Sequence, residues 1–454
     1  MFDRLFTSPR IDSLVSDDAL VAGMLRFESA LASVQADLGL IPFAAAAVIG
    51  GCCSLESFDV EDLCRSAERD GNPAIPLVKV LGQHVKSVDA EAARYVHLGA
   101  TSQDVIDTGL MLCTKQALDA LLVDLVELEK ELIGLIVRHR GTFMPGRTLL
   151  QHARPFSFGL KAAGWLDGFV RCRKMLEQGA AKSLAVQFGG AVGSLAASGP
   201  KGLQILSGLA QKLALVIPEL PWHTQRDRVG RLGMDLALLG TALAKMAQDV
   251  VLLMQTEVAE VAEDLGGGGG GSSTLPHKQN PIAPTKILAN AKRVPSLVSA
   301  LLSSMVQEHE RSVGGWHAEW VTFPEIVRTV GGSVDHALDL VSGLKIHSER
   351  MRSNMELTNG LLFAENVSME LAESLGKSAA HGVLTKASQK SRQTGQHLRK
   401  VLEEDPVLEK LLRPADLDRL FSPEQGNELA NELIDRVLAG VSQPHEHFNA
   451  ETPE

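Results

Sequence analysis

The sequence predicts an all-α protein, on three observations. Aromatic residues make up only 4% of the 454-residue chain and tyrosine occurs once, as Tyr95, so the aromatic content that strands favour is missing. Apolar residues still reach 45%, enough for a large core packed mainly by Leu and Ala, which are good helix formers. Two stretches place apolar residues at alternating steps of three and four, the spacing of a buried helical seam, and no stretch shows convincing strand alternation.

At roughly 100–200 residues per domain, the length allows about two to four domains. The expected division is an N-terminal helical domain over 1–110, a central bundle of long helices over 111–355 and a C-terminal helical domain over 356–454. The first seam, Leu118, Leu121, Leu125, Leu128, Leu132 and Leu135, belongs to a helix expected over 103–140. A second helix follows over 155–184, with a bend at Gly164. The second seam, Leu236, Leu239, Leu243, Met246, Val250 and Leu253, lies in the proline-free stretch 232–265, which the glycines Gly266 to Gly271 terminate. Further helices are expected over 281–307, with Pro284 in the first turn and a kink at Pro295, and over 324–352. Residues 361–391 keep helical periodicity, 401–441 read as shorter helices broken at Pro406, Pro414 and Pro423, and 444–454 form a polar tail. Thirty-odd residues at ~1.5 Å each make a rod of about 50 Å, which cannot cover its own apolar stripe. Long seams of this kind predict a homo-oligomer, in which symmetry mates complete the bundle.

Composition narrows the partners. The net charge of −11, from 44 Lys+Arg against 55 Asp+Glu, disfavours nucleic acid and anionic membranes as ligands. The five cysteines, Cys52, Cys53, Cys64, Cys113 and Cys172, are odd in number and contain no Cys-x-x-Cys pair, so neither a disulfide framework nor a zinc site is expected. His309 and His317 lack metal-ligand spacing, and no metal or cofactor is predicted. The N-terminus has no apolar signal segment, so the protein is expected to be soluble and cytoplasmic. Charge is unevenly spread. Residues 132–166 hold Arg138, Arg140, Arg147, Arg154 and Lys161 with no acid, and residues 266–307 hold Lys278, Lys286, Lys292 and Arg293 with none. A small polyanionic substrate therefore remains compatible with the acidic total.

Chemistry concentrates after the glycine run. Ser272, Ser273, Lys278 and Asn280 follow within nine residues. One cation and several donors suit binding a carboxylate and stabilising negative charge that develops beside it. A plain linker has no reason to carry Pro276-His277-Lys278 and Asn280-Pro281.

The run Gly271-Ser272-Ser273-Thr274-Leu275-Pro276-His277-Lys278-Gln279-Asn280-Pro281 resembles the signature of the fumarase/aspartase superfamily, Gly-Ser-Ser-x-Met-Pro-x-Lys-x-Asn-Pro, with Leu275 in place of the usual methionine. His97-Leu98-Gly99-Ala100-Thr101-Ser102-Gln103-Asp104 resembles its first substrate-binding segment, and Gly146 to Pro155 its second. The resemblance spans nearly the whole chain. It implies three helical domains per protomer, a 20-helix core in a homotetramer, and active sites shared between subunits.

Within the superfamily two regions discriminate. Adenylosuccinate lyases have histidine where this chain has Leu149, which cannot donate a proton, while His152 is retained. The core Trp316-His317-Ala318-Glu319-Trp320, with Gly71 to Leu77 and Trp222 to Arg228, resembles the carboxymuconate cycloisomerase branch. That branch implies closure of 3-carboxy-cis,cis-muconate to 4-carboxymuconolactone, a step of protocatechuate breakdown in the β-ketoadipate pathway. The resemblance implies Ser272 as the group that exchanges the α proton, with His152 as the alternative acid/base. It implies Lys278 and Asn280, with Ser273, around the carboxylate that becomes electron-rich. Thr101, Ser102 and Gln103 would orient a second carboxylate, and Arg311 and Arg147 are candidates for the third. An adenylosuccinate-type amine lyase, a 3-sulfomuconate cycloisomerase and a non-catalytic helical scaffold are the competing readings.

Overall fold

The computed structural model describes residues 2–264, 271, 274, 275, 277–425 and 428–441. Ser272 and Ser273, both expected site residues, lie outside them.

Helix α1 (Asp17–Asp37) starts at an N-cap, Ser16, whose side chain accepts from the Ala19 N–H. It crosses the first turns of the 37-residue helix α2 (Ser102–Arg138). The crossing is tight because glycines meet there: a Cβ on Gly23 would stand 2.8 Å from the Gly109 carbonyl oxygen. Strands β1 (Phe143–Thr148) and β2 (Gln151–Ser157) form an antiparallel hairpin, and helix α3 (Phe158–Ser183) follows it directly. Next come helix α4 (Asp227–Met254), strand β3 (Val261–Glu263), helix α5 (Ile282–Ser304) and helix α6 (Gly315–Ser342). Strand β4 (Leu344–Ile346) then pairs with β3. The C-terminal part holds helices α7 (Ser348–Glu356), α8 (Ala364–Leu375), α9 (Lys377–Thr394) and α10 (Glu428–Val441), with shorter helices between.

Helices α2 to α6 pack on one another as a bundle of five. Both expected seams are inside it: Leu118, Leu121, Leu125, Leu128, Leu132 and Leu135 are buried, and so are Leu236, Leu239, Leu243, Met246, Val250 and Leu253. Helix α4 is long and apolar enough to cross a bilayer, but its seam is committed to this core. One apolar cluster runs from Ile11 to Met351 and takes in Ile434 of α10, and a second, from Val367 to Leu420, belongs to the C-terminal part. Helix α2 begins at Ser102, so it spans the division expected at residue 110.

Local departures from the expected elements have physical causes. The hairpin carries no sequence signal at its two-residue turn, where Leu149 and Leu150 have φ of 49° and 64°. Such turns normally announce themselves with Asn-Gly or Asp-Gly. Pro145, Gly146 and Pro155 also break any alternation in its strands. Helix α3 consequently starts at Phe158, capped by Ser157, and not at 155. Helix α4 stops at Met254, well before the glycines. The acids Glu257 and Glu260 follow there, where a helix C-terminus disfavours negative charge. Helix α5 runs through Pro295, and α6 begins nine residues before Pro324 and runs through it.

Candidate active site

The bundle has two ends, and the expected site residues divide between them. At the first end α2 starts at its N-cap, Thr101. Arg226, just before α4, donates to Asp107 of α2 at 2.8 and 3.1 Å, and Trp316 at the start of α6 donates to the same carboxylate at 2.9 Å. At the second end lie the hairpin, the β3–β4 pair and the start of α5. There Arg147 of β1 reaches Glu260, and Glu263 accepts from the Ile282 and Ala283 N–H groups at 2.7 and 3.0 Å. Glu263 lies three residues before Gly266 and Ile282 directly follows Pro281, so these two bonds hold residues 263 and 282 together.

The first end holds a cluster around Thr101. Thr101 Oγ1 accepts from Arg311 at 3.1 Å, and Arg311 also donates to the Ala191 carbonyl at 3.0 Å. Both partners are neutral, and Arg311 forms no ion pair with a described residue. Among the described residues its charge is uncompensated and most of its five donors are unused. Ser102 is half-buried in the first turn. Gln103 is fully buried and donates to the His223 carbonyl at 2.8 Å, so in this protomer it braces the segment carrying His223 and has no surface left for a ligand.

The second end holds Arg147, His152, Lys278 and Asn280. Arg147 makes a two-pronged ion pair with Glu260, at 2.9 and 2.7 Å, and Glu260 is fully buried and also accepts from Asn354 at 2.8 Å. The role expected of Arg147, holding a third substrate carboxylate, is thereby taken by an internal one. The same holds more widely for the acid-free stretches. Arg140 pairs with Asp435, Arg154 with Glu365 and Arg293 with Glu325, acids brought in from other elements. Lys278 is exposed and has no ion pair with a described residue, and Asn280 is half-buried.

His152 faces Arg147 across the hairpin. Burial, and after it the Arg147 charge, lowers its pKa below the ordinary histidine value, so the ring is neutral at pH 7. Its Nδ1 is buried with no hydrogen-bond partner among the described residues. An acid/base histidine is normally oriented through its second nitrogen, and His152 has no such partner here.

Several polar groups at the first end were not singled out from sequence. His97 Nδ1 lies 2.5 Å from Glu28 Oε1, with Glu28 buried and His97 in the left-handed region at φ 58°. Burial opposes the charged ring, but the Glu28 carboxylate outweighs it and the His97 pKa is raised. Stability from this pair is therefore present below about pH 6.5 and lost as pH rises through the higher folded value. Glu28→Gln is expected to lower stability by about 2 kcal/mol at pH 5.5 and by clearly less at pH 9. Thermal denaturation at the two pH values checks this.

Deeper in, Arg226 is fully buried between Asp107 and Glu319 and stacks its guanidinium 4.6 Å from the centre of the Trp222 ring. Gln307 donates to Glu319 at 2.9 Å. Burial pushes the Glu319 carboxyl above the ordinary carboxylate range, with Arg226 opposing. Trp222, Arg226 and Glu319 fall in segments already notable by sequence and Asp107 and Gln307 do not, and which of them pair required the fold. Trp316 is buried and stacks edge-on with the partly buried Trp320, so this tryptophan pair packs as core. Among the described residues no group of three or more His, Cys, Asp or Glu is placed to hold a metal ion.

Residues 10–296 match the family model described as Lyase, and residues 360–437 the one described as adenylosuccinate lyase C-terminus. The 3-carboxy-cis,cis-muconate cycloisomerase of Bradyrhizobium diazoefficiens is 45% identical, with 97% of each chain covered. The protein of the same name from Pseudomonas aeruginosa is 44% identical over 97% of this chain and 96% of that one. The crystal structure of 3-carboxy-cis,cis-muconate lactonizing enzyme from Pseudomonas putida superposes with a TM-score of 0.93 at 44% identity, covering 97% of this chain and 98% of that chain.

Proposed function

We propose that this chain, which belongs to the lyase family of the fumarase/aspartase superfamily, is a 3-carboxy-cis,cis-muconate cycloisomerase. One observation favours it over an amine lyase: the hairpin tip presents Leu149, 96% exposed, where an adenylosuccinate lyase needs a proton donor. An amine leaves only if protonated. A carboxylate, with a pKa near ~4, leaves unaided, so the leucine is tolerable when the group added or expelled is the substrate's own carboxylate. The adenylosuccinate-like match covers only residues 360–437, which include neither Thr101, Arg311 nor the signature run.

One carboxylate of the tri-anion attacks the C=C bond and forms the lactone C–O bond. The displaced electron pair moves onto the carbon α to another carboxylate, which Lys278 and Asn280, with Ser273, stabilise as it becomes electron-rich. Ser272 delivers the proton to that carbon and is reprotonated from solvent. His152, neutral at pH 7, is the second candidate for the proton. Thr101 and Ser102, with the uncompensated Arg311, hold a further carboxylate.

The distance between the clusters supports a shared site. Helix α2 has 37 residues, which at ~1.5 Å each separates Thr101 from the hairpin by about 55 Å. Thr101 and His152 can meet one substrate only if they come from different protomers. A tetramer of five-helix bundles, twenty helices in all, accounts for this. It also covers the exposed tip Leu149–Leu150 and the outward Met234 and Leu238 of α4. We place the enzyme in the cytoplasm, consistent with five free thiols.

Three substrates test the reading. Rapid turnover of 3-carboxymuconate, slower turnover of the 3-sulfo analogue and none of adenylosuccinate are expected. Preference for the sulfonate reassigns the substrate, and elimination from adenylosuccinate overturns the proposal.

A further inference from the structure

At the first end of the bundle one buried carboxylate joins three separate parts of the chain. Asp104, in the first turn of α2, has no exposed surface. Its Oδ2 accepts from the Thr101 N–H and the Gly190 N–H, both at 3.0 Å. Its Oδ1 accepts from the Gly189 N–H at 3.0 Å and lies 2.7 Å from His223 Nε2. Four polar groups thus converge on one side chain.

The shape of the Gly189–Gly190 corner suits that arrangement. Successive N–H groups turn toward one anion only when the backbone kinks, and Gly190 has φ 71°. A Cβ on Gly189 would come within 2.7 Å of the Pro221 ring. The corner leads directly to Ala191, whose carbonyl accepts from Arg311, and Arg311 in turn donates to Thr101. Thr101 and Ala191, the two anchors of Arg311, therefore both sit on backbone held by Asp104.

We propose that Asp104 is a positioning residue for substrate: it fixes the Thr101 turn and the Gly189–Ala191 corner so that Arg311 is aimed at a substrate carboxylate. It acts through the other residues, since its own carboxylate is filled and buried. Removing it frees the corner and lets the unpaired guanidinium drift. This rests on the Thr101–Arg311 cluster being an anion site, as proposed above, but not on the identity of the anion.

The test is a double-mutant cycle read by calorimetric binding of propane-1,2,3-tricarboxylate, an unreactive tri-anion, to the full-length protein. Asp104→Asn keeps the size and one acceptor oxygen but turns an NH2 toward N–H donors. It is expected to weaken binding about tenfold, the equivalent of one charge-assisted hydrogen bond. Arg311→Met is expected to weaken it by a similar factor, and the double variant no further than the weaker-binding single. In turnover of 3-carboxymuconate, Asp104→Asn raises KM about tenfold with kcat within about threefold. A merely structural Asp104 predicts a lowered thermal midpoint with binding unchanged, or losses that multiply in the double variant, and either result overturns the proposal. So does a wild type that fails to bind the tricarboxylate. A wild type that binds it but does not turn over 3-carboxymuconate refutes the assigned activity and leaves the cycle readable.

Discussion

Ser272→Ala is expected to lower kcat for lactone formation about a thousandfold, within the range that acid–base groups supply, while KM changes little. The serine is the residue proposed above to transfer the proton, and a serine stays uncharged unless cations and N–H donors favour its alkoxide. Lys278, exposed and free of ion pairs with described residues, is the cation nearest in sequence. His152→Ala is expected to cost about tenfold, because the ring is neutral at pH 7 and no described residue fixes its second nitrogen. Stopped-flow turnover of both variants separates the roles. The reverse order of losses assigns the proton to His152, and near-normal turnover of both removes the mechanism.

Arg226→Met is expected to have the largest effect on stability. It leaves Asp107 and Glu319, both with at most 1% side-chain exposure, as unpaired carboxylates in the core. Breaking a buried pair from one side costs about 3–5 kcal/mol. For a chain of this size that is a fall of on the order of 3–5 °C in thermal midpoint. The exposed pair Arg140–Asp435 is the control, since Arg140→Met should cost less than about 1 kcal/mol. A small loss for Arg226→Met shows that one acid is already protonated in the folded protein. Burial raises the Glu319 pKa, so the loss should shrink as pH falls.

The seams show why most of the fold could be read in advance. Helical periodicity is a local property of consecutive residues, and every member of both seams is buried. The hairpin was hidden because its turn uses two leucines in left-handed conformations and its strands carry proline and glycine. What looked like a strongly basic region around Arg147 was misleading for another reason. Its counter-charge, Glu260, lies 113 residues away, a separation across which sequence gives no pairing rule. Sequence does not distinguish Arg311 from Arg147, yet of the two only Arg311 lacks an ion pair with a described residue. Gln103 sits in a binding-type segment but faces inward, because the first turn of α2 is packed against the 222–226 segment. Pairing across the fold, more than residue type, separates binding groups from bracing ones.

The most direct test of the account is conversion of 3-carboxy-cis,cis-muconate in deuterated water, followed by loss of diene absorbance and by proton spectroscopy of the product. Carboxylate addition with proton delivery at the α carbon predicts 4-carboxymuconolactone carrying one solvent deuterium at the carbon next to a carboxylate. Unchanged diene absorbance, or a lactone without deuterium at that carbon, would contradict it.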